Sequence, residues 1–312
     1  MGRSLADVQG LVELPAPVGA KLSYFRGDST SGAFGPVFRM LSPAIAFYAA
    51  CFAVPMVCLF ILGFWRADGF AMIPDFTFAN YEKIAASTLY RALILRTIVL
   101  GLIVALIVVP LAFALSYLMR FALQRRARLI LQLILLSMFS GYLVRIYAWR
   151  TILGKQGLLN AMLQWLGLTD QPLAFLIYSN FAVVVTLTGL LLPLAVLPIY
   201  SAMCNVSRDH LEAARDLGSS GGHLIRTVLL PMVLPGVRAG FAFTFFLAAG
   251  DFVTPALVGG AQSLMIGNVI ADQFRGVGSN WPLGAALAFV TIAAVLTIYS
   301  AGVALLRRFA AW

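Results

Sequence analysis

Two charged side chains stand within apolar stretches of this sequence, where an ionised group is costly unless it faces a protein or water-filled interior. Asp251 lies in the phrase AAGDFVTPALVGG, and Arg145 lies in GYLVRIYAWR. A carboxylate in such surroundings attracts cations, so Asp251 is a candidate contact on a path through a membrane. Thr254, in the same phrase, and Asp272 are further candidates for that path. A structural ion pair between Asp251 and Arg145 is the alternative interpretation.

Enzymatic chemistry has no support in the residue pattern. The run GxxxxGK[ST], whose backbone amides cradle phosphates in ATPases, does not occur. The two histidines, His210 and His223, have no cysteine or carboxylate at the spacing of a zinc site. We therefore expect no catalytic residue, no metal site and no cofactor on this chain.

Composition indicates the elements that must position these residues. Of the 312 residues, 61% are hydrophobic and only 11% are charged, which leaves too little polar surface for a soluble domain. The expected fold class is all-α, a polytopic membrane protein of about six transmembrane helices. Each predicted span is near the roughly 20 residues that cross a bilayer. The spans are placed at 41–64, 92–118, 129–149, 180–202, 229–253 and 283–306.

Basic residues predict the orientation, because they collect in short cytoplasmic loops of membrane proteins. The net charge is +10, and arginines follow the second, fourth and sixth spans. Segment 1–38 is basic and has no apolar run of signal-peptide length, so it is interpreted as a cytoplasmic tail before a transmembrane domain over 39–312. Both termini and a loop at about 205–231 are then cytoplasmic. This orientation accounts for the net positive charge, so we expect no nucleic-acid partner.

A polar stretch, EAARDLGSSGGHLIRTVLLP from Glu212 to Pro231, separates the fourth and fifth spans. Asp209, followed three residues later by Glu212, is close to a capping box and predicts a helix start. Gly218 predicts the end of that helix, and 219–222 predict a turn before a second helical run up to Pro231. The pattern indicates a short cytoplasmic helix. A loop helix that only rests on the bilayer is the alternative.

The spacing of this loop resembles the signature loop of ABC importer permease subunits. That signature is Glu-Ala-Ala, three residues, Gly, nine residues, an aliphatic residue, one residue and Leu-Pro. Val228 takes the aliphatic position, where the family usually has isoleucine. The resemblance implies a coupling helix that docks into a groove of a separate ATPase subunit, on which ATP and Mg are bound. The implied coupling residues are Glu212, Ala213, Ala214, Gly218, Leu230 and Pro231.

Longer phrases are similar to the spermidine/putrescine branch of the binding-protein-dependent transport inner-membrane component family. They are GYLVRIYAWRTILGKQGLLN, GDFVTPALVGG, MIGNVIADQF and NWPLGAAL. This resemblance implies a multi-pass permease of the bacterial inner membrane that forms part of a polyamine path. The implied partners are two ATPase subunits, a second and different permease chain, an extracytoplasmic solute-binding protein and the lipid bilayer.

Two alternatives to that function stay open. An ABC permease for another solute, such as ferric iron or thiamine, shares parts of the pattern. A six-span secondary transporter or channel subunit independent of ATP explains the hydropathy, but leaves the loop spacing a coincidence.

The outer connections differ in character from the cytoplasmic ones. Segment 65–91 is mixed in charge and rich in aromatic residues, which suits a contact with a soluble donor protein. Between the third and fourth spans, GLLNAMLQWLGL predicts a short helix at the membrane interface.

Overall fold

The structure is a computed structural model and describes residues 34–69, 71–275 and 279–310. The chain divides into two compact units, Met1–Val57 and Cys58–Trp312, which are described separately. Most of the predicted tail, 1–33, lies outside the described residues. In the first unit, helix α1 covers Phe34–Tyr48, so helix already begins within the predicted tail. A π-helical turn, Ala49–Ala53, follows α1.

Five helical stretches are long and apolar enough to cross a membrane, and they confirm five of the predicted spans. The second of the five extends beyond the predicted span at both ends, and the fourth begins eight residues before the predicted fifth span, at 221 instead of 229. The five are Met40–Leu62, Thr88–Ala122, Asn180–Cys204, Gly221–Gly250 and Trp281–Ala304.

The predicted third span, 129–149, is not one straight helix. Helix α5 covers Gln124–Phe139 and helix α6 covers Tyr142–Leu153, and the chain bends by 99° between the two stretches. Ser140 and Gly141 have extended ψ angles of 128° and 142°, so the helical hydrogen-bond ladder stops there. The described residues therefore hold five spans, or six if this bent pair crosses the membrane as one broken span.

The remaining helices and strands have the following bounds. After α2 (Val54–Leu62) come a two-stranded antiparallel hairpin, β1 (Arg66–Asp68) with β2 (Ala71–Ile73), and α3 (Ala79–Ala86). Later elements are α4 (Thr88–Tyr117), α7 (Leu158–Trp165), α8 (Asn180–Cys204), α9 (Arg208–Asp216), α10 (Gly221–Leu224), α11 (Leu230–Gly250), α12 (Ile266–Arg275) and α13 (Trp281–Ala310).

The main core of the second unit lies where α4, α8 and α11 pack together. Val104 of α4, Leu187 and Ile199 of α8, and Val233 of α11 are all fully buried there. These helices are apolar on all sides, as expected of segments whose other faces meet lipid. The core therefore holds the fourth and fifth spans together, and the polar loop of the sequence connects those two spans.

Candidate functional site

Helix α9 is the short helix that the polar loop predicts, and its start differs from the prediction. Ser207 is the N-cap residue, and its Oγ accepts a hydrogen bond from the backbone N–H of His210 at 3.4 Å. The assignment of the helix start to Asp209 and Glu212 is therefore wrong by two residues. Ser207 can cap because it keeps an extended backbone, whereas Asp209 is already helical. The Asp209 carboxylate instead lies in the first turn, where the helix dipole favours a negative charge.

The end of α9 confirms the prediction made from Gly218. Gly218 has φ +89°, a left-handed conformation that side chains rarely adopt. Its N–H bonds the carbonyl of Arg215 at 2.8 Å, and the N–H of Ser219 bonds the carbonyl of Ala214 at 2.9 Å. This pair of bonds is a Schellman motif, which satisfies carbonyls that the helix end would leave free. The helix is thus fixed at both ends by local hydrogen bonds.

The second helical run does not end at Pro231, contrary to the prediction. One continuous helical stretch runs from Gly221 to Gly250, so Leu230 and Pro231 belong to the first part of the fifth span. A π-helical turn covers Ile225–Leu229, and the N–H of Leu230 bonds the carbonyl of Ile225. This wider turn ends just before Pro231. Because proline has no backbone N–H, no hydrogen-bond donor is left unpaired there. The chain therefore passes the proline without leaving the helix.

One side of α9 is packed and the other is bare. Leu211 is only 5% exposed and belongs to the core, and Ala214 packs against the core in part. Glu212 and Ala213 are exposed, and Leu217, which follows the helix, is 88% exposed. A large apolar side chain so exposed beside a small alanine and a carboxylate suits contact with another protein.

The C-terminal end of the second span contacts the segment that precedes α9. Arg120 follows α4, and its Nη2 donates to the carbonyl of Val206 at 3.1 Å, just before the N-cap of α9. Between these elements lies a cavity of about 180 Å³. It is lined by Tyr117, Phe121, Arg208, Leu211, Glu212 and Arg215. The helix therefore has a fixed position relative to the second span as well as to the fourth and fifth.

Two glycines of α11 let it approach α8 very closely. A Cβ at Gly236 would lie 2.5 Å from the carbonyl oxygen of Pro198 and 2.6 Å from the Cβ of Ala202. A Cβ at Gly240 would lie 3.1 Å from Cδ1 of Ile199. Their four-residue spacing places them on one helix face, the arrangement that brings membrane helices into backbone contact. The ends of α8 and α11 that flank the polar loop are therefore in close contact.

Asp251 lies at the end of α11 and not within it. Its Oδ1 accepts hydrogen bonds from the N–H groups of Val253 at 2.9 Å and Thr254 at 3.2 Å, so it caps the next helical turn. Asp251 is 8% exposed, and its Oδ2 is buried with no hydrogen-bond partner within 3.5 Å among the described residues, although the Tyr142 hydroxyl on α6 lies near enough to interact with the carboxylate. A buried carboxylate oxygen without a close partner is costly, which marks this break as a site of interest.

The structural ion pair between Asp251 and Arg145 is not formed in the described part of the chain. Arg145 Nη1 instead donates to the carbonyl of Leu190 at 3.3 Å, and its Nε is buried without a partner there. The hydroxyls of Tyr142 and Thr254 are 3.3 Å apart, so Tyr142 reaches the Asp251 turn from α6. Sequence reasoning missed Tyr142, although it directly follows the break at Gly141.

The two remaining path candidates differ in burial. Thr254 is fully buried, whereas Asp272 is exposed on α12. Three residues on from Asp272, the Arg275 guanidinium lies 5.2 Å from the ring centroid of Phe252. The structure thus brings Asp251, Thr254, Tyr142 and Arg145 into one neighbourhood, and it leaves Asp272 on the surface of a neighbouring element.

Comparison with known proteins decides the family. The model of the family "Binding-protein-dependent transport system inner membrane component" matches residues 83–311. The chain belongs to this family. The chain is also 32% identical over 278 residues to the spermidine/putrescine transport system permease protein PotB of Haemophilus influenzae, covering 87% of this chain and 96% of that one. The resemblance found in the loop and in the longer phrases is thereby confirmed.

Two further relatives and one solved structure extend the comparison. The inner membrane ABC transporter permease protein YdcU of Escherichia coli K12 is 31% identical, with 88% of this chain and 90% of that one covered. The permease protein PotC of the same organism matches over 69 residues at 38% identity, 22% of this chain and 26% of that one. The crystal structure of a bacterial alginate ABC importer has a TM-score of 0.69 at 17% identity, covering 88% of this chain and 95% of that one, and so shares the fold.

Proposed function

We propose that the chain is a permease subunit of an ATP-driven importer and forms part of the path for a polyamine such as spermidine or putrescine. The observation that carries this is α9, a helix capped at both ends, packed on the core by Leu211 and bare at Glu212 and Ala213. The solute is proposed from the likeness to the PotB permease over 87% of this chain.

The proposed partners follow from the same two observations, the exposed side of α9 and the likeness to known permeases. The bare side of α9 receives an ATPase subunit, on which ATP and Mg are bound, and two such subunits serve the complex. A second, different permease chain completes the path, a proposal supported by the partial likeness to PotC. A soluble solute-binding protein delivers the polyamine from outside. The chain then lies in the bacterial inner membrane with both termini in the cytoplasm.

The proposed mechanism uses α9 as a lever. Closure of the ATPase pair displaces Glu212, Ala213 and Ala214, and the contacts at Gly236 and Gly240 carry α8 and α11 along with it. The continuous helix Gly221–Gly250 is about 45 Å long at about 1.5 Å per residue, so it reaches across the bilayer. A movement of this helix therefore displaces the end of α11, where helical hydrogen bonding stops beside Asp251.

At that break we propose that Asp251 contacts the polyamine in transit. Its unpartnered Oδ2 is an acceptor for a protonated amine, and pairing with that amine offsets the cost of the buried charge. Thr254 and Arg145 line the same neighbourhood, and Asp272 supplies a surface carboxylate on α12.

The coupling role is tested by co-purification with the ATPase and by transport in the assembled complex. Glu212→Arg places a cation on the bare side of α9, and Gly218→Pro cannot keep the left-handed conformation of the Schellman turn. Both variants are expected to lose most of the bound ATPase. Glu82→Arg, on the exposed surface of α3, is the matched control and is expected to assemble normally. Normal assembly and transport in both α9 variants would contradict the coupling role.

The path role is tested with Asp251→Asn. Asparagine keeps an Oδ1 acceptor for the N–H groups of Val253 and Thr254, so folding is preserved while the charge is removed. Transport of spermidine is expected to fall at least tenfold, whereas Asp170→Asn at an exposed position leaves it unchanged. Unchanged rate and solute preference in Asp251→Asn would end this assignment.

A further inference from the structure

A second cavity lies between α6, the turn that follows it and the segment before α8. It has a volume of about 460 Å³, and its lining includes Arg150, Lys155, Tyr147 and Tyr178, with no carboxylate among the lining residues. One guanidinium bond is already used, because Arg150 Nη2 donates to the Tyr178 hydroxyl at 3.3 Å. Among the described residues, no other hydrogen bond occupies Arg150 and none occupies the ammonium of Lys155, so both can bind an anion.

Tyr178 is held in this cavity against a backbone preference. It has φ +56°, and it is the one non-glycine residue with positive φ in the described part of the chain. Its N–H bonds the carbonyl of Val258 at 2.8 Å, and Gly260 approaches so closely that a Cβ there would lie 3.0 Å from the Tyr178 Cβ. A left-handed aromatic residue fixed by its neighbours indicates a conformation kept for a ligand or a partner.

An apolar strip runs beside the cavity along α7. Leu158, Met162 and Trp165, at positions i, i+4 and i+7 of one helix face, are 61%, 51% and 85% exposed. The opposite face is buried, since Leu159 packs against the core and Asn160 is 1% exposed. A helix that buries one side and exposes apolar residues on the other suits the membrane interface.

The strip and the cavity have a fixed relative position. Asn160 Nδ2 donates to the carbonyl of Gly154 at 3.0 Å, and Gly154 itself lines the cavity. Asn160 Oδ1 accepts from the N–H of Leu173 at 2.8 Å, which ties α7 to the following loop. The two features thus form one site. It has a basic pocket with two tyrosines and, beside it, an exposed apolar strip.

We propose that this site binds an anionic phospholipid, with the phosphate against Arg150 and Lys155 and the acyl chains along Leu158, Met162 and Trp165. The charge of the pocket suits a phosphodiester, for which the planar guanidinium offers paired donors. Tyrosine and tryptophan at the boundary of polar and apolar regions match the aromatic belt of membrane proteins. A soluble partner protein would match the two basic residues but leave the exposed apolar strip unexplained.

The test measures lipids bound to the full-length protein by native mass spectrometry, with phosphatidylglycerol and phosphatidylcholine of the same acyl chains. Arg150→Gln/Lys155→Gln is expected to lower the preference for phosphatidylglycerol about 30-fold, since each basic residue near an anionic surface contributes about 1 kcal/mol. Lys155→Gln alone, at an exposed position, is expected to lower it about fivefold and guards against misfolding of the double variant. The control Lys83→Gln/Arg91→Gln removes two exposed charges elsewhere and is expected to have no effect.

Two further arms separate a lipid from other ligands. Met162→Gln/Trp165→Gln is expected to weaken both lipids, while inorganic phosphate at millimolar concentration leaves bound phosphatidylglycerol in place. The proposal is overturned if the charge variants keep the wild-type lipid preference. It is equally overturned if the strip variant binds lipid normally and inorganic phosphate displaces it, which indicates a free-anion site. Unchanged lipid binding together with lost docking of a solute-binding protein would assign the pocket to that protein.

Discussion

The close contact between α8 and α11 makes a quantitative prediction for Gly236→Ala. A Cβ at Gly236 lies 2.5 Å from the Pro198 oxygen, whereas ordinary van der Waals contact begins at 3.4 Å, so the helices must separate by 0.9 Å. Overpacking of this kind typically costs about 1 to 3 kcal/mol, and the higher helix propensity of alanine returns up to about 1 kcal/mol. We expect a net loss of about 1 to 2 kcal/mol in the free energy of unfolding.

A graded series in the same helix serves as the control. At Gly240 a Cβ would lie 3.1 Å from Cδ1 of Ile199 and 3.2 Å from the backbone oxygen of Ala195, both longer than the contact at Gly236, so Gly240→Ala is expected to cost about 1 kcal/mol. At Gly250 nothing lies within 4 Å, and Gly250→Ala is expected to cost nothing. Equilibrium unfolding by dodecyl sulfate in mixed micelles, followed by circular dichroism, measures all three. Equal stability of Gly236→Ala and Gly250→Ala would refute the close-packing argument.

Three further changes probe hydrogen bonds and backbone conformation. Thr97→Val leaves the buried N–H of Ile266 without its acceptor at 3.0 Å and is expected to cost about 1 to 3 kcal/mol in the same unfolding assay. The Thr186 hydroxyl has no hydrogen-bond partner among the described residues, so Thr186→Val is expected to be neutral. Ser207→Ala removes the cap of α9 at a cost of about 1 kcal/mol, measured as roughly fivefold faster hydrogen exchange of the 208–216 amides. Gly218→Ala meets no atom within 4 Å, so its expected cost of about 1 to 2 kcal/mol arises from the positive φ alone and is read in the same exchange experiment. Exchange rates equal to the wild type in both variants would show that α9 does not depend on its caps.

The features that sequence predicted correctly are those set by local chemistry. Hydropathy placed five spans, because about 20 apolar residues can satisfy their backbone in lipid only as a helix. Gly218 predicted the end of α9, because the left-handed conformation is available mainly to glycine. Ser207 and Asp209 are both good capping residues, and the choice between them depends on where α8 ends, which sequence alone does not determine.

The features that sequence missed depend on tertiary position or on a single dihedral angle. The bend in the third span rests on the ψ angles of Ser140 and Gly141, which hydropathy does not report. Arg145 and Asp251 are both polar residues in apolar stretches, but pairing requires two helices to align in rotation and depth. Arg145 instead finds the carbonyl of Leu190, and Tyr142 occupies the neighbourhood of the Asp251 turn.

In the proposed coupling role of α9, the two kinds of glycine around the loop have different tasks. Gly218 provides a backbone conformation and fixes the exit of α9, while Gly236 and Gly240 provide close approach and join α8 to α11. The ends of α8 and α11 next to the loop are therefore held in close contact. A displacement of α9 cannot be absorbed by a change in the spacing of these two helices. Helical hydrogen bonding stops after Gly250, where Asp251 takes an extended ψ of 124°. Under that proposal, a displacement of α9 bends the chain where helical hydrogen bonding stops, at the turn that holds the buried Asp251 oxygen.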